Sequence, residues 1–117
     1  MASIDDVKTF LELCKKYKDA NKLDFIMGKE EKYTLGKMGI SMRDAFSMFD
    51  YLTYKNYYRG PNPDHNGSPG DVWEFGLEDD GTEIYIKLKI RTPPKDDLLF
   101  MSFHFPARPI VYPYKTA

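Results

Sequence analysis

The chain has 117 residues, of which 42% are hydrophobic and 30% are charged, a composition typical of one globular domain rather than of a disordered or fibrous chain. No apolar stretch approaches the roughly 18 residues that a membrane helix needs, so we expect no membrane span. Seventeen basic and eighteen acidic residues give a net charge of -1, which excludes the overall positive charge typical of a nucleic-acid binder. Any such site has to be local.

The first part of the chain is predicted to be helical. Ser3 is a favourable N-cap residue, and apolar residues recur after it at helical spacing, which predicts a helix over residues 4–20. A short extended segment is predicted around residues 23–27, followed by a charged loop over 29–32. Residues 33–40 then predict a short helical turn that ends at Gly39.

A second main helix is predicted after this turn. Ser41 with Asp44 three residues later resembles a capping box, and the apolar stripe that follows ends near Tyr54. Residues 57–61 then lead into a loop over 62–70 that is rich in turn-forming residues.

From Asp71 the hydrophobic pattern has a period of two. It predicts an antiparallel hairpin with strands over 72–77 and 83–91, followed by a third antiparallel strand over 98–105. The prediction is an α+β fold in a single domain, residues 1–117. In it the N-terminal helices, within about residues 1–58, pack on one face of a twisted C-terminal antiparallel sheet, about residues 71–105. An extended, proline-containing tail, 106–117, follows the sheet.

Alternate residues of a strand point to opposite faces of a sheet, so the sequence sorts the predicted strands into two sides. The apolar side, expected to pack on the helices, carries Trp73, Phe75, Leu77, Ile84, Ile86, Leu88, Ile90, Leu99, Met101, Phe103 and Phe105. The polar side carries Glu74, Tyr85, Lys87, Lys89, Ser102 and His104. This mixture of acidic, basic and hydroxyl side chains is the feature of the sequence that most strongly indicates a catalytic site.

Cleavage of RNA by its own 2'-hydroxyl requires a base for that hydroxyl, an acid for the 5'-oxygen and positive charge near the phosphate. Glu74 is the candidate base and His104 the candidate acid, and these two roles are interchangeable at this stage. Lys87 can hold phosphate oxygens, joined by Arg59 if its loop folds over the sheet. Tyr85 can donate to the phosphate or stack on a base.

Every one of these residues also has a structural interpretation. A histidine in a strand is more often structural or merely exposed, and lysines on a strand usually form a solvated face. Glu74 beside lysines can be a simple ion pair, and the tyrosines can be packing aromatics. The residues alone therefore leave open a non-catalytic protein- or RNA-binding module, or a protein whose tail adds a strand to a partner's sheet.

Five segments taken together resemble the MqsR family of bacterial toxins: Leu35-Gly36-Lys37-Met38-Gly39-Ile40, Tyr57-Tyr58-Arg59-Gly60-Pro61, Asp71-Val72-Trp73-Glu74-Phe75-Gly76, Glu83-Ile84-Tyr85-Ile86-Lys87-Leu88-Lys89-Ile90 and Ser102-Phe103-His104. The resemblance covers most of the chain from about Leu35 onward. Family members are mRNA interferases of toxin-antitoxin systems, with helices packed on one side of a twisted antiparallel sheet, as in RelE-type toxins. The resemblance therefore implies a RelE/MqsR-like fold.

The resemblance also implies residue roles and partners. The catalytic set it suggests, together with the sorting of faces, is Arg59, Glu74, Tyr85 and His104, and the substrate-binding set is Lys87, Lys89, Tyr58 and Trp73. It implies an mRNA substrate, a cognate antitoxin protein, and no metal or other cofactor. Glu74 stands where the founding member has an amide, and His104 where it has a lysine, so the proton-transfer groups differ.

The single cysteine and the N-terminus bear on the cellular compartment. Cys14 has no partner for a disulfide within the chain, and a cysteine-built zinc site needs several cysteines. Residues 1–6 have no basic region followed by an apolar run, the pattern of a secretory signal. We therefore expect a cytoplasmic protein without a disulfide partner.

Overall fold

The computed structural model describes all 117 residues and has an α+β fold, which confirms the predicted fold class. The helices are α1 (Ile4–Asp19), α2 (Lys29–Met38) and α3 (Met42–Met48), with two 3-10 turns at Phe49–Tyr51 and Tyr54–Asn56. The strands are β1 (Leu23–Phe25), β2 (Tyr57–Pro63), β3 (Asp71–Asp79), β4 (Thr82–Arg91) and β5 (Asp97–His104). They form one sheet in the order β1-β5-β4-β3-β2. The sheet is mixed, because β1 runs parallel to β5 while the other neighbours are antiparallel.

The helix boundaries follow from local capping. Helix α1 starts at the predicted N-cap residue Ser3, which forms a capping box with Asp6, and α3 starts at the predicted capping box of Ser41. Helix α3 ends at Met48 rather than near Tyr54, and 3-10 turns complete the segment. None of the helices is long and apolar enough to cross a membrane.

Helix α2 corrects the prediction of a charged loop over residues 29–32. The helix starts at Lys29, after the N-cap residue Gly28, and its first turn carries Glu30 and Glu31. Acidic side chains are favourable there, because the N-terminus of a helix carries partial positive charge. Gly39 ends the helix in the left-handed conformation, with φ of 69°, as predicted.

Strand β2 was predicted as the approach to a loop, and this prediction was wrong. Tyr57–Pro63 pairs with β3, but its register shifts on both sides of Arg59. Gly60 adopts φ of +116° in this irregular stretch, a conformation open to glycine and strained for other residues. These irregularities hide the period of two in the sequence. The strand is the element that brings Arg59 opposite Glu74.

The predicted hairpin is confirmed as β3 and β4. The strands are joined by Asp80 and Gly81, both with positive φ, the conformation expected of a two-residue hairpin turn with Asp-Gly. The register pairs Glu74 with Lys87 and Gly76 with Tyr85. Directly opposed residues share a face, so the polar side of these two strands is as predicted.

Strand β5 contains a bulge that the sequence analysis did not foresee. The register pairs Tyr85 with His104 and Lys87 with Ser102, then shifts so that Leu88 faces Phe100 and Lys89 faces Leu99. Leu99 therefore lies on the polar side, which corrects its assignment to the apolar side. An extra residue in one strand reverses the alternation beyond it, whereas the end that carries His104 keeps the predicted face.

The hydrophobic core lies between the apolar side of the sheet and the helices. It contains eighteen buried residues in one cluster: Ala2, Val7, Phe10, Cys14, Phe25, Leu35, Ala45, Phe49, Leu52, Tyr57, Phe75, Leu77, Ile84, Ile86, Leu88, Leu98, Phe100 and Phe103. Cys14 is free and buried within it. The helices cover the apolar face of the sheet, and the polar side chains lie on the opposite face.

The C-terminal tail packs back on its own sheet. The Ile110 N–H and the Tyr112 hydroxyl both donate to Glu83, over 3.0 and 2.8 Å, and the ring of Tyr114 stacks on Tyr57 with 5.7 Å between centroids. Gly76 makes room for this path, because a Cβ atom there would lie 2.6 Å from the Ile110 side chain. The tail thus borders the polar face close to Tyr85.

Candidate active site

The centre of the polar face is a cluster of three side chains from three neighbouring strands. The carboxylate of Glu74 on β3 accepts a hydrogen bond of 2.7 Å from Arg59 Nε on β2, and its other oxygen accepts one from the Tyr85 hydroxyl on β4. The Glu74 side chain is 7% exposed, while that of Arg59 is 59% exposed. A buried carboxylate therefore holds a guanidinium whose outer edge faces solvent.

The environment keeps both donors of this cluster protonated. Burial, followed by the hydrogen bond to Glu74, raises the pKa of Tyr85 well above its ordinary value, so its hydroxyl retains its proton at neutral pH. The hydrogen bond to Glu74 likewise raises the pKa of Arg59. The cluster thus offers one fixed positive charge and one hydroxyl proton held by a carboxylate.

His104 lies beside Tyr85, with 5.1 Å between ring centroids. Its Nδ1 faces the carbonyl oxygen of Phe105 at 3.0 Å, and its Nε2 faces a carboxylate oxygen of Glu30 at 3.2 Å. Both ring nitrogens therefore face acceptors, an arrangement that the protonated ring satisfies on both sides. An imidazole in this position, beside the cluster, can act as a general acid.

Two clefts adjoin the cluster, and Arg59 and Tyr85 line both. One, of about 410 Å³, runs past Tyr58 and His104 and is bordered by residues 106–110 of the tail. The other, of about 520 Å³, passes Glu74 and Lys87 beneath residues 62–65. A nucleic-acid segment of several nucleotides would thus reach the cluster through either cleft.

Tyr58 and Lys87 complete the accessible part of this face. The Arg59 guanidinium lies over the Tyr58 ring, 4.8 Å from its centroid, which gives a flat, positively charged surface of the kind on which bases stack. Lys87 lies opposite Glu74 on β4 and lines the second cleft. Tyr58 and Lys87 therefore each line one of the two clefts beside the cluster.

Two residues of the predicted substrate-binding set lie elsewhere. The ammonium of Lys89 forms a covered ion pair of 2.8 Å with Asp64, with side chains 3% and 9% exposed, so Lys89 offers no free charge to a ligand. Trp73 points to the opposite, apolar side, where its ring stacks on Phe10 with 4.3 Å between centroids. We retain neither residue in the candidate site.

Two acidic residues that are absent from the predicted site contact or approach His104. Glu30 and Glu31 belong to the start of α2, in the segment predicted to be a loop. Acidic residues two and three positions after a glycine, as Glu30 and Glu31 are after Gly28, indicate the first turn of a helix, which places both carboxylates on one turn. Their proximity to His104 depends on the packing of α2 against the end of β5, for which the sequence carries no local signal.

Comparison with known proteins gives no family for this chain, so the assignment of a function rests on the geometry of the site. No family model matches the chain, and neither a curated protein nor a solved structure matches it significantly. The resemblance to the MqsR toxins therefore stays a prediction.

Proposed function

We propose that the protein is a metal-independent endoribonuclease, an mRNA interferase of a toxin-antitoxin system. The observation that carries this proposal is the cluster of Arg59, Glu74 and Tyr85 with His104 beside it. It combines a carboxylate, a hydroxyl, a fixed cation and an imidazole within one open face. These are the groups that phosphoryl transfer within RNA requires when no metal takes part.

In the proposed mechanism, Glu74 acts as the base through Tyr85. The Tyr85 oxygen takes the proton of the ribose 2'-hydroxyl while the Tyr85 proton passes to the Glu74 carboxylate that already accepts it. The 2'-oxygen then attacks phosphorus, and the bond from phosphorus to the 5'-oxygen breaks. His104 gives its proton to that leaving oxygen. The products are a 2',3'-cyclic phosphate and a 5'-hydroxyl.

Arg59 and Lys87 supply positive charge in this mechanism. Negative charge builds up on the non-bridging phosphate oxygens during attack, and preorganised cations lower the energy of that state more than that of the ground state. Glu74 orients the Arg59 guanidinium through a 2.7 Å hydrogen bond, which leaves the remaining N–H donors to face the cleft. Tyr58 would stack on a base next to the cut.

The biological setting follows from the resemblance rather than from the geometry. An mRNA interferase that cleaves cellular RNA arrests growth, so it requires a cognate antitoxin protein that restrains it. The cleft between Tyr58 and the tail is a surface that such a partner would cover. Both substrate and antitoxin imply a cytoplasmic protein.

A direct test uses purified protein with a defined RNA and a copy that carries one 2'-deoxy nucleotide at the mapped cut. We expect cleavage of the first in the presence of EDTA, a cyclic phosphate product, and no cleavage of the second at that position. The Tyr85→Phe variant should lose activity, whereas Tyr51→Phe, a change at an exposed tyrosine outside the clefts, should keep it. Cleavage of the second RNA at the 2'-deoxy nucleotide would contradict attack by the 2'-hydroxyl.

The alternative is a non-catalytic protein- or RNA-binding module. One observation favours it: both oxygens of Glu74 already accept hydrogen bonds, and Nε2 of His104 already faces Glu30. If these contacts are only structural, the face binds RNA or protein without cleaving it. The purified protein would then shift labelled RNA in a binding assay, or bind none, and leave it intact in either case.

A further inference from the structure

A second cluster of ionisable groups lies at the start of α2, next to the candidate active site. One ligand atom from each of Glu30, Glu31 and His104 lies within 4.8 Å of the other two. A cleft of about 370 Å³ adjoins Glu30 and His104. The three residues come from two elements that are far apart in sequence, so their convergence is a property of the fold.

His104 is oriented as metal-bound histidines usually are. Its Nδ1 faces the carbonyl oxygen of Phe105 at 3.0 Å, which directs Nε2 toward Glu30. The separation of 3.2 Å between His104 Nε2 and a Glu30 oxygen matches two ligands of one ion. Metal-ligand bonds of about 2.0–2.2 Å at angles between octahedral and tetrahedral separate ligand atoms by roughly 2.8–3.6 Å.

Glu31 is a buried carboxylate without a cationic side chain as its partner. It is 7% exposed, and no lysine, arginine or histidine forms an ion pair with it. Its one hydrogen bond within the protein, from the Phe103 N–H, is 3.3 Å long. Buried carboxylates are costly unless paired or bound to a metal.

Gly28 makes room for this carboxylate. A Cβ atom at that position would lie 2.7 Å from an oxygen of Glu31, which is closer than packed atoms approach. A side chain at residue 28 would thus displace the carboxylate from its present place. Glycine at this position thus leaves the Glu31 carboxylate in its present place, whereas the backbone φ of -79° at Gly28 is open to any residue.

We propose that Glu30, Glu31 and His104 form a binding site for one divalent transition-metal ion, with zinc as the ion that suits them best. One imidazole and two carboxylates are ligands that zinc accepts at four-coordinate sites, whereas magnesium and calcium prefer oxygen ligands alone. Three protein ligands leave one position for water or for an oxygen of another molecule.

The metal site and the proposed nuclease mechanism both use the Nε2 atom of His104. Zinc bound to Nε2 of His104 prevents that nitrogen from carrying the proton that the leaving 5'-oxygen needs. Zinc therefore inhibits cleavage, and a chelator restores it. Inhibition rests on the proposed function, whereas zinc binding does not.

The test is isothermal titration of the full chain with zinc chloride, and with magnesium chloride for comparison. We expect one zinc ion per chain, an affinity for magnesium at least tenfold weaker, and a rise in melting temperature with zinc alone. The variants Glu31→Gln and His104→Ala should lose zinc binding at least tenfold. His65→Ala is the matched control, because it removes the only other histidine, which is exposed in a loop, and it should bind zinc as the natural chain does.

Folding of each variant is checked by circular dichroism, so that a lost site is distinguished from a lost fold. Absence of zinc binding to the natural chain, or binding that survives in folded His104→Ala, would overturn the proposed site. In that case Glu30 serves only as the ion-pair partner of His104. Failure of RNA cleavage in every sample would instead overturn the nuclease, while the titration still decides the metal site.

Discussion

Two ion pairs on the same sheet face have nearly equal lengths and opposite exposure. Lys89 and Asp64 lie 2.8 Å apart, and both side chains are covered. Arg59 and Glu74 lie 2.7 Å apart, but the arginine is mostly exposed. The first pair satisfies its own charges and joins a loop to the sheet, whereas the second presents positive charge to the clefts. A pattern of alternating charged residues in a strand therefore does not distinguish a covered ion pair from one whose cation is open to solvent.

The largest effect is expected when the open pair is broken. Replacing Arg59 with methionine removes a preorganised cation, and we expect RNA cleavage to fall by roughly 100- to 1,000-fold. Arg59 is exposed, but the change leaves the buried Glu74 carboxylate without a cation, so we also expect the free energy of unfolding to fall by about 1–2 kcal/mol. Rates on a defined RNA and urea unfolding measure the two effects. Arg43→Met, at an exposed position on α3, is the control that should keep full activity.

Breaking the closed pair should affect stability without removing a cation from the clefts. Asp64→Ala leaves the covered ammonium of Lys89 without a partner, and we expect a loss of about 2 kcal/mol, below the usual cost for a deep interior pair because a single loop covers this one. The double variant Asp64→Leu with Lys89→Met should unfold at nearly the natural urea concentration. A single variant as stable as the natural chain would show that water reaches Lys89.

The tail next to the open pair gives a third, smaller test. Gly76→Ala places a methyl group against Ile110, and we expect a loss of about 1–2 kcal/mol from overpacking, with faster proteolysis of the tail. The control is Gly36→Ala on the exposed side of α2, where a Cβ meets nothing within 4 Å. That change should stabilise the protein by about 0.5–1 kcal/mol, because alanine favours a helix. Equal effects at both positions would mean that the tail does not pack on Gly76.

The smallest expected effect is on the stability of the protein at low pH. The hydrogen bond from Lys89, followed by that from the Asn66 N–H, lowers the pKa of Asp64. A carboxyl with a lowered folded pKa stabilises the fold fully above its unfolded pKa of about 3.9 and loses that contribution as pH falls through the folded value. Asp64→Asn should therefore flatten the dependence of unfolding free energy on pH below about 4. A slope equal to that of the natural chain would assign the acid sensitivity to other carboxyls.

Much of the fold follows from local sequence signals. The hairpin was predictable because Asp80-Gly81 suits its turn, and the starts of α1 and α3 because Ser3 and Ser41 form capping boxes. Strand β2 escaped prediction because its register shifts hide the alternation of side chains. Here the pairing with β3, and not propensity, makes the strand.

The candidate site was predictable only where the strand period held. Glu74, Tyr85 and His104 share a face because β3, β4 and the end of β5 keep regular alternation around them. The fate of Lys89 depends on Asp64 in a loop, and that of His104 on Glu30 in another helix. Contacts between distant parts of the chain determine which charged side chains are paired. The hydrophobic period of a single strand carries no information on such contacts.

The central claim is that this polar face cleaves RNA, and induced expression with mapping of new 5' ends in cellular RNA tests it most directly. The natural chain would be compared with Glu74→Ala, His104→Ala and the control Arg43→Met, at equal levels of folded protein. The account predicts growth arrest and site-specific cuts with the natural chain and the control, and neither with the two site variants. Normal growth and intact RNA in all four strains would contradict it, and would leave the binding module as the function of this face.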